Sequence, residues 1–520
     1  MSERNADSGS APPERGLGAW AILFAGLCAW LVFDLAYPNV YGGTDVFHFK
    51  DAGCNLAAGR GFVSAAFVGS ESFDEKLWFS QGPLFPILYG AYASLFGCTF
   101  ESDNVFDLLV SAALSATVLG LAGRGLTPRM RIVFAAALAV VLPSGGLYWP
   151  SDRPDHFALL LALLVPLAGG MGGDGRRPGG ISRRTAPLLA GLAFAASPFY
   201  GLVGLALAVL QAVDHSDPLS RASIGRAAGT VAVFAAVPVA AVAAFAAYDP
   251  GTVVRFATHL SILFASKATF LERIDHAVNS SGFSSRIVAL RWLAAFVFAG
   301  WLFGRALRRG GGPRVWIVPA ALFLMVLGVP AAFPHQGNYY AAAALIVSVL
   351  APYAIQPGAA GAPRMGRGAF GISMAVVFLP LLPALAISVL QRIESYPSFQ
   401  REAQRVVSMA GLADRLAVAP PSHYFLFRPT GARLFNPAYL GPTHDLRAVD
   451  YQIVCRTALP LGAPLEALSP GFVPMDGDVG MGTVGPPVPI VLFGRTLMAR
   501  DWGWSCRIYR NAGAAGDRRP

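Results

Sequence analysis

The chain is organised around residues 38–103, which read PNVYGGTDVFHFKDAGCNLAAGRGFVSAAFVGSESFDEKLWFSQGPLFPILYGAYASLFGCTFESD. This stretch separates the first hydrophobic span from the second, so it forms a loop at a membrane surface. Charged residues make up only 13% of the chain. The loop nevertheless holds many of them, together with a histidine: Asp45, His48, Lys50, Asp51, Arg60, Glu71, Asp74, Glu75 and Lys76. Residues 38–103 are therefore the candidate active site.

The composition indicates a polytopic membrane protein. Hydrophobic residues make up 54% of the 520 positions, the mean hydropathy is +0.51, and apolar runs of about 20 residues recur along the chain. The net charge of +10 does not indicate nucleic-acid binding, because the arginines cluster in short segments between apolar runs, as the positive-inside rule predicts. The strong preference for arginine over lysine favours a bacterial source.

The chain begins with a polar tail at 1–16, followed by an apolar segment at 17–37 that lacks a clear cleavage site and is predicted to be an uncleaved signal anchor. Arginine-rich loops after the later spans predict which side is cytoplasmic, and they leave 38–103 on the outer side. The protein is therefore expected in the bacterial inner membrane, with the candidate site facing the periplasm or exterior. The further apolar segments lie at 104–122, 132–148, 156–170, 186–212, 227–247, 286–304, 314–333, 339–355 and 369–390.

Two apolar segments would disrupt the alternation of cytoplasmic and outer loops if each crossed the membrane once. Residues 82–97 are predicted to form a helix along the outer face, because a crossing would place the next arginine loop outside. Residues 186–212 have arginine-rich flanks on both sides, and Ser197-Pro198 disfavours a continuous helix. They are predicted to form two short helices that turn near Phe199 and Tyr200. The transmembrane domain, 17–390, is then all-α with roughly twelve membrane helices.

Residues 391–520 are predicted to form a small extracytoplasmic α/β domain. An amphipathic stretch at 400–416 is followed by three strand-like runs, HYFLF at 423–427, DYQIVCRT at 450–457 and PIVLFGRTL at 489–497. The domain would follow the last span directly and face the same side as the first outer loop.

Four of the five cysteines fall on the outer side in this topology, and Cys28 lies in the first span. An oxidising compartment permits disulfides. Cys54–Cys98 would close the first outer loop and Cys455–Cys506 would lie in the terminal domain; reduced structural cysteines are the alternative. No cysteine spacing indicates a zinc site.

Asp45 follows a Gly-Gly turn shortly after the first span. The pattern Asp45, Phe49, Ala52, Leu56, Gly59 predicts a helix that starts near Asp45 and stops at a glycine. A carboxylate at the membrane surface could deprotonate an acceptor hydroxyl group, or Asp45 could simply cap this helix. Asp51, further along the same helix, is expected to face water or to pair with Lys50 or Arg60.

TDVFHFKDAGCNLAAGRGF at 44–62, followed by FSQGPLFPILYGAYASLFG at 79–97, resembles the first outer loop of the GT-C membrane glycosyltransferases. That superfamily includes polyprenol-phosphate-dependent mannosyltransferases, protein O-mannosyltransferases and aminoarabinose transferases. The resemblance implies a multi-spanning fold, a sugar donor carried on a polyprenyl phosphate, and a loop carboxylate as general base. Asp45 occupies the position of that base.

Further motifs extend the resemblance. Glu75-Lys76 before Pro83 is similar to a Glu-Lys-Pro-Pro motif of the aminoarabinose branch, which implies contact with the donor phosphate. WPSDRPDHF at 149–157 resembles the second outer loop and PHQGNYY at 334–340 a late Arg-Tyr region. The substrate-binding candidates are therefore Lys76, Glu75, Asp152, Arg153, Asp155, His259, Tyr339 and His48. Each also has a structural interpretation, as an interfacial cation, a salt-bridge partner or a buried histidine.

The function that this resemblance implies is inverting transfer of a hexosyl or pentosyl group from a polyprenyl-phosphate-linked donor to a lipid, glycan or protein acceptor. A divalent cation, Mg or Mn, could be held by Asp45, Asp152 and Asp155, although nothing in their spacing requires a metal. Two alternatives belong to other classes: a flippase or transporter of a lipid-linked precursor, and a non-catalytic assembly protein with a GT-C fold. Paired broken helices in repeated halves, which are typical of transporters, are not evident in the sequence.

Overall fold

The fold is described by a computed structural model. It describes residues 17–39, 46–64, 76–77, 82–123, 126–141, 154–168, 180–213, 217, 219–254, 257, 297, 366–378, single positions between 382 and 415, and 416–419, 424–435, 448–457, 470–475, 479–481, 491–492, 495–496 and 504–513. Apart from position 297, the predicted spans at 286–304, 314–333 and 339–355 lie outside these residues.

The membrane-facing part is helical. A short π-helical turn at Val46–Lys50 precedes α2 and continues into it. The helices are α1 Leu17–Ala36, α2 Asp51–Ala57, α3 Leu84–Phe96, α4 Phe100–Ala122, α5 Pro128–Val141, α6 Asp155–Ala168, α7 Gly180–Ala196, α8 Pro198–Ala212, α9 Arg221–Tyr248 and α10 Arg367–Phe378.

Three helices in the described part of the chain are long and apolar enough to cross a membrane, at Leu17–Ala36, Phe100–Leu121 and Arg221–Tyr248. Shorter apolar helices accompany them, including those at Asp155–Ala168 and Pro198–Ala212. The protein therefore has the character of a membrane protein. The expected count of roughly twelve membrane helices stays a prediction.

The broken pair predicted at 186–212 is confirmed. Helices α7 and α8 pack against each other, and the chain turns between them at Ser197, whose backbone is extended with φ −151° and ψ 119°. Pro198 is the first residue of α8, where its missing N–H is not needed. The turn comes two residues before the predicted position at Phe199. A Cβ atom on Gly201 would collide with Phe194, which shows how closely the two helices approach beside the turn.

The helix predicted at 82–97 is also present, as α3. Its 13 residues extend about 20 Å, less than the hydrocarbon thickness of a bilayer. Phe85, Tyr89 and Ala93 are buried on one face, whereas Ile87 and Leu95 are among the exposed apolar residues. A helix on the membrane surface requires one buried face and one exposed apolar face, as α3 has. The orientation of α3 to the membrane stays a prediction.

Helix α4 begins at a well-formed cap. The Ser102 N–H donates to Thr99 Oγ1 at 3.3 Å, and the Thr99 N–H donates to Ser102 Oγ at 3.2 Å. This reciprocal capping box satisfies two N–H groups that a helix start would otherwise leave without partners. It fixes the N-terminal end of α4 three residues after Gly97, where α3 has ended.

The C-terminal region contains a six-stranded mixed sheet. The strands of this sheet are β3 Leu416–Val418, β4 Arg433–Phe435, β5 Tyr451–Thr457, β6 Phe472–Pro474, β7 Val479–Met481 and β10 Trp504–Asn511. The strand order is β4-β3-β5-β10-β6, and β7 pairs with β10. Strand β3 is parallel to β4 and β5, whereas β10 is antiparallel to β5, β6 and β7. The outer loop has a separate pair, β1 Val63–Ser64 and β2 Lys76–Leu77.

The three predicted strand runs have different outcomes. DYQIVCRT forms β5, as expected, and PIVLFGRTL forms an antiparallel pair, β8 Val491–Leu492 and β9 Arg495–Thr496. The prediction for HYFLF is wrong, because Tyr424–Phe427 is a short helix, α11, followed by a 3-10 turn at Arg428–Thr430. All four residues of α11 are buried. A short run that is apolar on every side carries no periodicity that separates a strand from a helix.

One hydrophobic core joins the first outer loop to the C-terminal region. Phe49, Phe85 and Phe100 belong to the same buried cluster as Tyr424 and Ile508. A second cluster, on the membrane side, is built by α1 and α4 to α8 with Phe234 of α9 and Phe378 of α10. The division of the chain at residue 390 stays a prediction, but residues on both sides of it share one core.

Candidate active site

A helical segment begins directly after Asp45, as predicted. Its π turn and α2 together cover residues 46–57, and Gly59 follows with φ +72°. A positive φ is easily adopted by glycine, so this residue provides the predicted stop. Asp45 itself lies outside the described residues, and so does the side chain of His48.

Helix α2 is held against α3 by a disulfide and by a close backbone approach. Cys54 and Cys98 are disulfide-bonded with a Cα–Cα distance of 5.9 Å. This bond excludes the alternative that the two residues are reduced structural cysteines. A Cβ atom on Gly53 would lie 2.7 Å from the Pro86 carbonyl oxygen and 3.0 Å from the Gly90 nitrogen. Only a glycine therefore allows this approach.

The second expected disulfide involves the terminal sheet. Cys506 in β10 is disulfide-bonded, and the β5–β10 register places Cys455 directly opposite it. Cys28, in α1, is a free cysteine, as expected for a position within the first span.

Lys50, the residue that directly precedes α2, is completely buried. Its ammonium group lies 2.6 Å from Asp103 Oδ1 and 3.1 Å from Asp107 Oδ2, and 5.4 Å from the centre of the Tyr89 ring. The two aspartates are one turn apart on α4, so both face the same cation. A buried ammonium group requires such partners, because burial of an isolated charge is strongly unfavourable.

Asp51 does not face water, and that expectation is wrong. Its side chain is buried, and its carboxylate accepts hydrogen bonds from Asn55 Nδ2 at 3.2 Å, Ser64 Oγ at 3.1 Å and Tyr424 Oη at 2.6 Å. Tyr424 comes from the C-terminal region, so local sequence could not reveal this partner. Lys50, which was the predicted partner of Asp51, binds Asp103 and Asp107 on α4 instead. These two aspartates are distant from Lys50 in the sequence, so the local sequence pattern does not indicate them.

Two arginines complete the contact between this loop and the segment 424–431. Arg428 Nη2 donates to Asn55 Oδ1 at 2.7 Å, and Arg60 Nη2 donates to the Gly431 carbonyl oxygen at 3.2 Å. Asn55 also donates to the Val63 carbonyl oxygen at 2.9 Å. The amide of Asn55 thus links Asp51, Arg428 and β1 in one buried network, which we call the Asp51 network.

The segment after the last predicted span also contacts the C-terminal end of α1. Arg392 forms a buried ion pair with Asp34, donates from Nε to the Tyr37 carbonyl oxygen at 2.7 Å, and lies 4.7 Å from the centre of the Phe33 ring. Tyr37 is the first residue after α1, so this arginine holds the chain just where the outer loop begins.

Tyr396 lies close to the capped start of α4. Its hydroxyl group donates to Glu101 Oε1 at 3.5 Å and accepts from Gln400 Nε2 at 3.0 Å. Burial and then the Glu101 carboxylate raise the pKa of Tyr396. The raised pKa favours the protonated phenol, which is the donor in the contact with Glu101.

Three of the predicted site residues lie partly or wholly in the described part. The backbone of Lys76 is in β2, where it pairs with Ser64, and the Ser64 hydroxyl group belongs to the Asp51 network. The sheet thus brings the Lys76 backbone beside that network. Asp155 is the first residue of α6 and is 8% exposed. The predicted residues outside the described part are Asp45, Glu75, Asp152, Arg153, His259 and Tyr339.

Metal binding is not supported by the described residues, among which no group of three or more histidine, cysteine, aspartate or glutamate side chains could hold an ion. The triad of Asp45, Asp152 and Asp155 has two members outside them. The possible divalent cation therefore stays a prediction.

Sequence reasoning missed the residues that fix the loop. The sequence does contain a signal for Asp103 and Asp107. Two carboxylates one turn apart near the end of an apolar helix require a cation nearby. Tyr424 and Arg428 gave no signal, since they are 373 residues from their partners Asp51 and Asn55.

No protein-family model and no curated protein matches the chain. Among solved structures, it is similar to the oligosaccharyltransferase of Archaeoglobus fulgidus in complex with zinc and sulfate, with 12% identity, a TM-score of 0.43, and coverage of 83% of this chain and 67% of that one. The same enzyme tethered to an acceptor peptide with the NVT sequon gives 9% identity, a TM-score of 0.45, and coverage of 84% and 68%. The arabinofuranosyltransferase AftD from Mycobacteria gives 14% identity and a TM-score of 0.38; the match covers 94% of this chain but 40% of AftD. Similarities of this size do not assign the chain to a family.

Proposed function

We propose that this protein is a membrane glycosyltransferase that moves a sugar from a polyprenyl-phosphate carrier to an acceptor hydroxyl group on the outer side of a bacterial cell membrane. Asp45 is the general base of the proposed reaction. The proposal starts from the resemblance of residues 44–62 and 79–97 to the first outer loop of the GT-C enzymes. The acceptor is a hydroxyl group of a lipid, a glycan or a protein.

The observation that carries the proposal is the anchoring of the segment that follows Asp45. Residues 46–57 are fixed by the Lys50 ion pairs, the Cys54–Cys98 disulfide and the Asp51 network. A general base must lie within hydrogen-bond reach of the proton that it removes, so its backbone needs a rigid support. A helix cap at an ordinary surface loop would not require three independent anchors.

In the proposed reaction the Asp45 carboxylate takes the proton of the acceptor hydroxyl group. The acceptor oxygen then forms a bond to the anomeric carbon while the bond from that carbon to the phosphate oxygen breaks. The electron pair leaves with the polyprenyl phosphate, and attack from the opposite face inverts the anomeric configuration. Negative charge that develops on the phosphate requires cations nearby.

Lys76 and Arg153 are the proposed partners of the donor phosphate, because both lie in outer loops by the arginine pattern. The pairing of Lys76 with Ser64, next to the Asp51 network, supports this role for Lys76. Glu75, His48, Asp152, Asp155, His259 and Tyr339 are the proposed contacts to the sugar or acceptor. A divalent cation would act as a further partner of the phosphate if these residues bind one.

The test compares wild type with Asp45→Asn in membranes supplied with radiolabelled polyprenyl-phosphate sugars extracted from bacterial membranes. Loss of the general base should lower turnover about 10²- to 10⁴-fold, while binding of undecaprenyl phosphate stays unchanged. Asp217→Asn, at an exposed position outside the loop, makes the same chemical change and should keep the wild-type rate.

Asp45→Asn with the wild-type rate would show that Asp45 is only a helix cap. Donor that crosses the membrane without being consumed would favour the flippase or transporter alternative. Wild-type protein that neither consumes nor moves the donor would favour the assembly-protein alternative.

A further inference from the structure

Tyr424 and Arg428 of the C-terminal region bind the same helical segment that Asp45 precedes. Tyr424 Oη lies 2.6 Å from Asp51 Oδ1, and Arg428 Nη2 lies 2.7 Å from Asn55 Oδ1. The two donors are four residues apart, and so are the two acceptors. Residues 424–428 and 51–55 therefore pack side by side, with one helical turn of each facing one turn of the other.

We propose that Tyr424 and Arg428 are positioning residues of the transfer reaction, which hold the Asp45 base in place through Asp51 and Asn55. This inference rests on the proposed function. It gives the C-terminal region an indirect role in catalysis, through contacts that run from residues 424–431 to the base-bearing loop.

Burial makes these contacts strong. Asp51 is 2% exposed, Asn55 and Tyr424 are 0% exposed, and Arg428 is 8% exposed. A hydrogen bond to a buried charged group contributes more than one at the surface, and its loss leaves a polar group without compensation. Small changes at Tyr424 should therefore alter the position of the segment and not only its average stability.

The distance along the chain is short enough for such a shift to reach Asp45. Asp45 is the residue before Val46 in the sequence, and the backbone from Val46 onward is helical. The five residue steps from Val46 to Asp51 correspond to about 7 Å of helix. A catalytic group must be held to within about 0.5 Å of its productive geometry, so a modest rotation of this segment is sufficient to misplace it.

A third contact further restricts rotation of the segment. Arg60, just beyond the end of α2, donates to the carbonyl oxygen of Gly431, just beyond the 3-10 turn. The contacts to 424–431 therefore lie at Asp51, at Asn55 and at Arg60, and they span the whole of α2. Together they define both the location and the rotation of the helix.

The test uses the full-length protein in membranes and the variant Tyr424→Phe, which removes one hydroxyl group and keeps the ring. We expect kcat with the radiolabelled polyprenyl-phosphate sugars to fall about 10-fold while KM for the donor stays unchanged. We also expect amide hydrogen exchange within residues 46–57 to become about 10-fold faster, because the segment opens more easily.

Arg428→Met should give the same two effects, and Arg428→Lys, which keeps a donor and a charge, should restore part of both. Tyr248→Phe is the matched control, since Tyr248 is 82% exposed at the end of α9. It should change neither kcat nor the exchange of residues 46–57.

A Tyr424→Phe protein that loses thermal stability but keeps wild-type kcat and wild-type exchange in 46–57 would overturn the positioning role. Failure of the proposed function gives a different result, because wild type itself then transfers no sugar. In that case the exchange measurement still decides the contact: faster exchange confined to 46–57 supports anchoring by Tyr424, and unchanged exchange overturns it.

Discussion

The ammonium group of Lys50 lies 2.6 Å from the carboxylate of Asp103. This ion pair joins the loop between the first two spans to the N-terminal end of α4, one of the helices that could cross the membrane. Asp107, one turn further along α4, provides a second carboxylate at 3.1 Å. The segment that carries the proposed base is therefore attached to the transmembrane part by charge as well as by apolar packing.

Replacement of Lys50 by methionine should destabilise the protein by about 3–5 kcal/mol, because the buried Asp103 and the half-buried Asp107 lose this cation. The free energy of unfolding in an SDS titration measures the loss. The triple variant Lys50→Met, Asp103→Asn, Asp107→Asn removes the charges together and should recover most of it. Arg129→Met, at an exposed arginine of α5, is the control. A single variant as stable as the triple variant would contradict the role of the ion pair.

Removal of the disulfide by Cys54→Ala and Cys98→Ala should cost about 2–4 kcal/mol, since the bridge closes a long loop in the unfolded chain. Full reduction of wild type should lower stability at least as much, because it also opens the disulfide of Cys506. Cys28→Ala changes the free cysteine and should leave both the stability and the response to reductant unchanged. A double variant with wild-type stability would show that the bridge adds nothing to the other anchors.

Gly53→Ala and Gly120→Ala should have opposite effects. A Cβ atom at Gly53 would lie 2.7 Å from the Pro86 carbonyl oxygen, whereas one at Gly120 in α4 would meet nothing within 4 Å. Gly53→Ala should therefore destabilise the packing of α2 on α3 by about 1–3 kcal/mol. Gly120→Ala should stabilise α4 by about 0.5–1 kcal/mol. Thermal unfolding midpoints that move in the same direction would contradict this description.

Arg392→Met should leave the buried Asp34 carboxylate without its cation and lower stability by about 3–5 kcal/mol. The double variant Asp34→Leu, Arg392→Met removes both charges and should be closer to wild type than Arg392→Met alone. Unfolding of purified protein in detergent compares the three forms. Equal stability of wild type and Arg392→Met would mean that this ion pair does not hold the outer end of α1.

Much of the secondary structure could be predicted from local patterns. The broken pair at Ser197-Pro198, the short helix before Gly97 and the helical segment that stops at Gly59 each depend on a proline, a glycine or an apolar face. These signals act within a few residues, so the sequence displays them directly. The prediction of a strand for HYFLF is wrong. Contacts with distant parts of the chain bury these residues, so their local pattern does not indicate the helix.

The partners of the charged residues could not be predicted in the same way. Asp51 was expected to bind Lys50 or Arg60, which are close in sequence, yet its carboxylate accepts from Tyr424. Lys50 was assigned no partner on α4, although Asp103 and Asp107 are only about fifty residues away. A charge in a buried loop binds whichever opposite group the fold places nearest, and sequence distance does not measure that proximity.

The sequence by itself determined the membrane character and the helix that follows Asp45, whereas the outer position of the loop stays a prediction. Hydropathy and turn residues are local properties, and they act before the chain has folded. Only the tertiary structure decided that the C-terminal region holds this loop, through Tyr424, Arg428 and Arg392. Buried hydrogen bonds and ion pairs form where desolvated groups meet in space, so their partners are fixed by the packed core that residues 46–57 share with the terminal sheet.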